Sequence, residues 1–234
     1  MTHFFNLTNK QRLFALFTAS LLALNWTIYL YAINTNQVVE GSLGYFINPL
    51  VNFLMGFIFL GERLPKLRQV SVLLATLGVL WLTFLAGHFP WIGLSLGLSF
   101  GAYGLIRKVN PLPATTALQI EMLVLTGLMA LGFFALYPQG DPLPMNLKDG
   151  LLLAGAGLAT GFPLYCFNKA VAKTPLNVMG FLQFIAPTLQ FLLGVFLYHE
   201  AFPMEKFIGF LLIWTGLMLL ILELVLFPKR RNSR

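Results

Sequence analysis

Eight runs of about twenty predominantly apolar residues make up most of this 234-residue chain, and that length is what a helix needs to cross a hydrocarbon core. They cover roughly 13–33, 42–60, 70–86, 91–106, 117–137, 151–172, 178–198 and 207–227, and the links between them are mostly shorter than ten residues. A β-barrel would instead need strands of about ten residues that alternate apolar and polar. A run such as FLLIWTGLMLLI shows no alternation. The fold class that follows is an all-α membrane protein with eight transmembrane helices. Composition agrees: 58% of the residues are hydrophobic and 10% charged, where a soluble domain carries about 25% charged residues. Water would meet apolar side chains almost everywhere, so the partner of this surface is the lipid bilayer.

The formal charge is +7. Nucleic-acid binding would gather Lys and Arg on one exposed face with aromatics between them, and here they lie between apolar runs. With the N-terminus in the cytoplasm and each helix crossing once, 13 of the 15 Lys and Arg fall on the inner side. Only Lys148 and Lys206 fall outside. This is the asymmetry of cytoplasmic loops, and it places both termini in the cytoplasm. The longest link, 137–150, is rich in Pro, Gly and Asp and reads as a surface loop. Cys166 is the single cysteine and reads as a small hydrophobe in a helix. His3, His88 and His199 lack the spacing of zinc ligands, and no phosphate-binding glycine loop occurs. Neither a metal nor a nucleotide cofactor is expected.

Sliding the chain on itself by 138 residues superposes Pro49 on Pro187, Glu62 on Glu200, Pro65 on Pro203, Gly56 on Gly194 and Gly78 on Gly216. No gap is needed from about 25 to 85. The shift pairs the first three helices with the sixth, seventh and eighth. It spans five helices, an odd number, so equivalent helices cross in opposite senses. Inverted-topology repeats of this kind are typical of secondary transporters. The expected organisation is an incomplete first repeat over 1–88, helices one to three, and a complete second over 89–234, helices four to eight.

The stretch NWTIYLYAINTNQVVEGSLGYFINPLVNFLMGFIFLGERL (25–64) resembles the RarD-type members of the EamA family, in the drug/metabolite transporter superfamily. The segments LSFGAYGLIRKV, LQIEMLV and GFLQFIAPTLQFLLGVFLYHE are similar in the same order. The resemblance implies two inverted five-helix units and a permease or exporter of small metabolites or drugs in the bacterial inner membrane. It also implies that this chain lacks the first two of ten helices. A non-transporting remnant, or a subunit needing a partner, is therefore a second reading, and a membrane-embedded enzyme a third.

Pro49 and Pro187 lie near the middle of helices two and seven. Proline has no N–H and clashes with the carbonyl four residues earlier, so each is expected to kink its helix and free the carbonyl of Tyr45 or Gln183. Asn48, Asn52, Gln183, Thr188 and Gln190 surround these points. They suit either a solute site at mid-membrane or amide bonds that hold a packing kink. Glu121 is an ionisable group inside helix five, costly in lipid. Its candidate roles are proton or ion coupling, contact with a cationic substrate group, or pairing with Arg107 or Lys108. Asn25, Tyr29 and Tyr103 are further pathway candidates. Glu62 and Glu200 stand at the ends of helices two and seven and are read as loop anchors. Gly93, Gly97 and Gly101 at four-residue spacing allow close helix packing or a homo-oligomer contact.

Overall fold

The structure is a computed structural model that describes residues 8–35, 37–62, 65–87, 89–110, 112–136, 146–196 and 204–226. Among these residues all regular structure is helical: α1 Asn9–Asn34, α2 Val38–Leu60, α3 Lys66–Ala86, α4 Trp91–Val109, α5 Ala114–Leu136, α6 Leu147–Val171, α7 Leu176–Gln183, α8 Ile185–Phe196 and α9 Met204–Leu226. Over its described residues each of the eight apolar runs is helical, the seventh with one interruption. Six helices, α1, α2, α3, α5, α6 and α9, are long and apolar enough to cross a membrane. The glycine-rich α4 is not one of the six, and neither is the seventh run.

That seventh run departs from the single kinked helix expected over 178–198. It is broken at Phe184 into α7 and α8. Pro187 explains the position of the break. It is the third residue of α8, in the first turn, where a missing N–H costs nothing. A continuous helix would have required that N–H to bond to Gln183. The Phe184 N–H instead closes a tight turn onto Phe181, 3.1 Å away, and Thr188 N–H resumes the helix on Phe184 at 3.2 Å. Pro49, its equivalent, lies within an unbroken α2. Pro65 and Pro175 stand immediately before α3 and α7. An Asn146–Asp149 capping box opens α6, satisfying end groups that the first turn cannot.

The chain forms two compact units. Residues 1–24 and 103–174 make up the first, and 25–102 with 175–234 the second. In the first unit, α5 pairs with α6, and a small core of Ala15, Leu112, Ala117 and Ile120 joins α5 to the start of α1. In the second unit α3 pairs extensively with α9, and α2 with α7. Edge-on aromatic pairs Phe46–Phe210 and Phe53–Phe181 sit in its core. The outward faces carry large apolar side chains such as Leu73, Leu80 and Phe84 on α3 and Met218 on α9, as a lipid-facing surface requires.

The pair α3–α9 displays the repeat directly. Arg68 meets Glu223, Gly216 packs on Ser71, Gly78 packs on Gly209, and Trp81 bonds to the Glu205 carbonyl. Partner numbers fall as α3 numbers rise, so these two equivalent helices run antiparallel. The packing obeys the 138-residue shift as well. Gly78 against Gly209 becomes, on exchanging the copies, Gly216 against Ser71. A Cβ on Gly78 would lie 2.6 Å from the Gly209 carbonyl oxygen, and one on Gly216 would lie 2.5 Å from that of Ser71. Small residues are needed here because backbone meets backbone.

Gly78→Ala and Gly216→Ala are each expected to destabilise the second unit by about 1–3 kcal/mol, the cost of forcing an extra carbon into a packed interface. Gly127→Ala, with open space around the added Cβ, is expected to be neutral or stabilising. Thermal unfolding of the three variants in detergent checks this, and equal behaviour of all three would contradict the packing.

Candidate functional site

In the second unit, the amide of Asn52 is fully buried between α2 and α7. Its Nδ2 donates to Gln183 Oε1 at 2.6 Å and to Asn48 Oδ1 at 3.2 Å, while Asn52 Oδ1 has no partner among the described residues. The helices touch beside this pair, since a Cβ on Gly180 would lie 2.5 Å from the Pro49 carbonyl oxygen. Pro49, Leu50, Phe53, Val72, Phe181 and Phe184 line an apolar depression beside it with essentially no room for a water molecule, so no ligand-sized cavity is open here in this conformation. Thr188 donates to the Phe184 carbonyl at the break and accepts from Trp214 Nε1.

The other expected residues of this unit are placed separately. Asn25 Nδ2 donates to the Leu96 carbonyl and to Ser99 Oγ, both at 2.9 Å, bracing α1 on α4. Tyr29 and Tyr45 stack edge-on with ring centroids 6.0 Å apart. Gly97 and Gly101 pack against Ile47 and Val51 of α2, so this spacing serves packing within the unit. The side chain of Gln190 and all of Glu200 lie outside the described residues.

Glu62 holds the start of α7. Gly61 takes a left-handed φ of 61°, ends α2, and turns the chain so that Glu62 Oε1 and Oε2 accept from the backbone N–H groups of Leu176 and Asn177 at 2.8 and 3.0 Å. Pro175 precedes α7 and supplies no side-chain cap. A carboxylate from elsewhere in the sequence thus satisfies the exposed amide donors and the positive end of the helix dipole. Asn177 extends the network: its Oδ1 accepts from Arg68 Nη1 at 3.0 Å, and Arg68 grips Glu223 with two bonds of 2.7 and 3.0 Å. Arg68 and Glu223 are both buried.

Sequence reasoning missed this network. Arg68 counts as a loop cation there and Asn177 as a link residue. Glu223 lies in the eighth apolar run, and the reasoning that singled out Glu121, a carboxylate in an apolar span, applies equally to it.

The first unit holds a second buried polar cluster. The Tyr103 hydroxyl on α4 lies 2.7 Å from Asn168 Oδ1 on α6 and 3.1 Å from Glu121 Oε2 on α5. Arg107 Nε donates to the same Asn168 Oδ1 at 3.2 Å, and Nη2 donates to the Leu112 carbonyl at 3.4 Å. Lys108 donates to the Thr174 carbonyl at 2.8 Å. Neither cation forms a direct ion pair with Glu121. Glu121 Oε1 and Asn168 Nδ2 are buried and have no partner among the described residues.

Arg68→Ala would leave Glu223 as an uncompensated buried charge, at a cost of about 3–5 kcal/mol. Replacing both, Arg68→Met with Glu223→Leu, is expected to restore most of that loss. A double-mutant cycle on thermal stability in detergent measures the coupling, and additive effects would show that the pair is not coupled.

Residues 90–222 match the model of the EamA-like transporter family. Protein RarD of Escherichia coli K12 is 38% identical over 231 residues, covering 96% of this chain and 76% of that protein. Protein RarD of Streptomyces exfoliatus is 42% identical over 219 residues, covering 92% and 69%. A solved crystal structure shares the fold with a TM-score of 0.69 at 21% identity, covering 88% of this chain and 76% of the other. On the family match and these relatives, the chain belongs to the EamA-like transporter family, among its RarD-type members.

Proposed function

We propose that this chain is a secondary transporter that carries small metabolites or drugs across the bacterial inner membrane, with both termini in the cytoplasm. Its two repeats, 1–88 and 89–234, exchange conformations about the Pro49 and Pro187 regions. The observation that carries this reading is the antiparallel packing of equivalent helices α3 and α9 around the 138-residue shift. Inverted copies, related by a pseudo-two-fold axis in the membrane plane, give a molecule two conformations that exchange the roles of the copies, each opening to one side. Membership of a transporter family supports the same reading.

The solute contacts fall to Asn48, Asn52, Gln183 and Gln190, with Asn25, Tyr29, Tyr45 and Tyr103 along the route and Glu121 in the coupling of an ion or proton. Amides both donate and accept, so they suit neutral and zwitterionic solutes. The unpartnered Asn52 Oδ1 is the acceptor best placed to change partner when α2 and α7 separate. Glu62, bound across to α7, would hold one end of that helix pair closed until the exchange. Pro49 would supply flexibility by removing one hydrogen bond within α2, and Pro187 by standing just beyond the break at Phe184.

Uptake into proteoliposomes, screened over amino acids, aromatic metabolites and amide-bearing antibiotics, tests the reading. Protein-dependent flux of at least one class is expected. Asn48→Ala and Gln183→Ala are expected to reduce that flux about tenfold, the scale of one lost hydrogen bond. Flux unchanged in Asn48→Ala, Gln183→Ala and Glu121→Gln alike would remove the assigned route.

A further inference from the structure

In the first unit's polar cluster Tyr103 and Arg107 share one acceptor, Asn168 Oδ1. Arg107 Nε can only donate, so the Asn168 atom 3.2 Å from it must be the carbonyl oxygen, Oδ1. The Tyr103 hydroxyl lies 2.7 Å from that same oxygen, a distance at which a proton must stand between the two. Tyrosine has one hydroxyl proton, so it points to Asn168. The Tyr103 oxygen then offers only lone pairs to Glu121 Oε2, 3.1 Å away. A carboxylate there would set two unshielded acceptors against each other in a buried site, while a carboxylic acid would donate across the gap.

We propose that Glu121 is a proton-binding site, with its Oε2 protonated in this conformation and donating to Tyr103, which in turn donates to Asn168. The surroundings fit a group that gains and loses charge. Tyr103 and Arg107 face it from α4 and the Thr18 hydroxyl from α1, with Asn168 completing the cluster from α6. Arg107 is the charged group acting on it among the described residues, and its Nε and Nη2 donate to Asn168 and to the Leu112 carbonyl. Loss of the proton would turn the Tyr103 hydroxyl onto Glu121 and leave its oxygen without a proton against Asn168 Oδ1. The α4–α6 contact would then have to lengthen. Protonation of one carboxyl is in this way tied to the spacing of two helices, and an ionisable group at this depth in a membrane protein is suited to that use. Only the use rests on the transporter reading; the site itself stands on geometry.

Infrared difference spectroscopy of the purified full chain in lipid tests the proposal. The wild type is expected to show a protonated-carboxyl C=O band at neutral pH. Glu121→Gln, nearly isosteric and able to donate to Tyr103, should lose it while eluting as a folded species. Tyr103→Phe should shift the band to higher wavenumber, because the acid loses its acceptor. A wild type with no such band, or a band that survives Glu121→Gln unchanged, would overturn the proposal. A band in a protein that moves no solute would refute the transporter reading and leave the proton site standing. Solute flux without the band would do the reverse.

Discussion

A polar or charged group buried in a helical membrane protein must find its partner within the chain, because the hydrocarbon offers none. Three constellations here answer that requirement, though Asn52 Oδ1, Glu121 Oε1 and Asn168 Nδ2 have no partner among the described residues. Arg68 is held by Glu223 and Asn177, and Glu62 holds the start of α7. Asn52 is tied to Gln183 and Asn48. Tyr103, Asn168, Arg107 and Glu121 close on one another in the first unit. The first lies wholly in the second unit, at the helix ends where α2, α3, α7 and α9 approach. It replaces water for four groups that would otherwise each be expensive to bury. Its worth lies in geometry more than in net energy, since a buried pair gains little over an apolar substitute. What it does supply is a fixed register between helices.

The second unit also shows how inverted copies of a segment become neighbours. Residues equivalent by the 138-residue shift recur at equivalent contacts, Gly78 with Gly209 and Gly216 with Ser71. An antiparallel pair of like helices has this symmetry automatically, and close backbone approach requires that the small residues be repeated with it. The glycines are thus a consequence of the repeat's geometry as much as a sign of it.

Much of the fold could be read from the chain: eight helices from apolar length, and the repeat from matched Pro, Gly and Glu. Pro187 marked the weak point of the seventh helix, yet the outcome was a break at Phe184 where a kink was expected. A proline removes one bond and adds one clash. Whether the helix bends around that or stops depends on what else holds the chain, and α2 runs on through Pro49. The sites were less legible. Glu121 stands out by the cost of an ionisable group in lipid and Tyr103 as a pathway candidate, but Asn168, their partner, is an ordinary amide whose importance appears only when α4 and α6 are placed. Asn25 was recognisable as polar, whereas its use in bracing α4 was not. Arg68 and Glu223 are 155 residues apart, and no local pattern announces a pair at that separation.

Inversion of the two copies in the bilayer can be measured directly. Single cysteines at Lys66 and at Ala201, each introduced into a Cys166→Ser background, can be probed with a membrane-impermeant thiol reagent in sealed, oriented vesicles. The account predicts labelling from opposite sides, with position 66 on the cytoplasmic face. Labelling of both positions from the same side would contradict it.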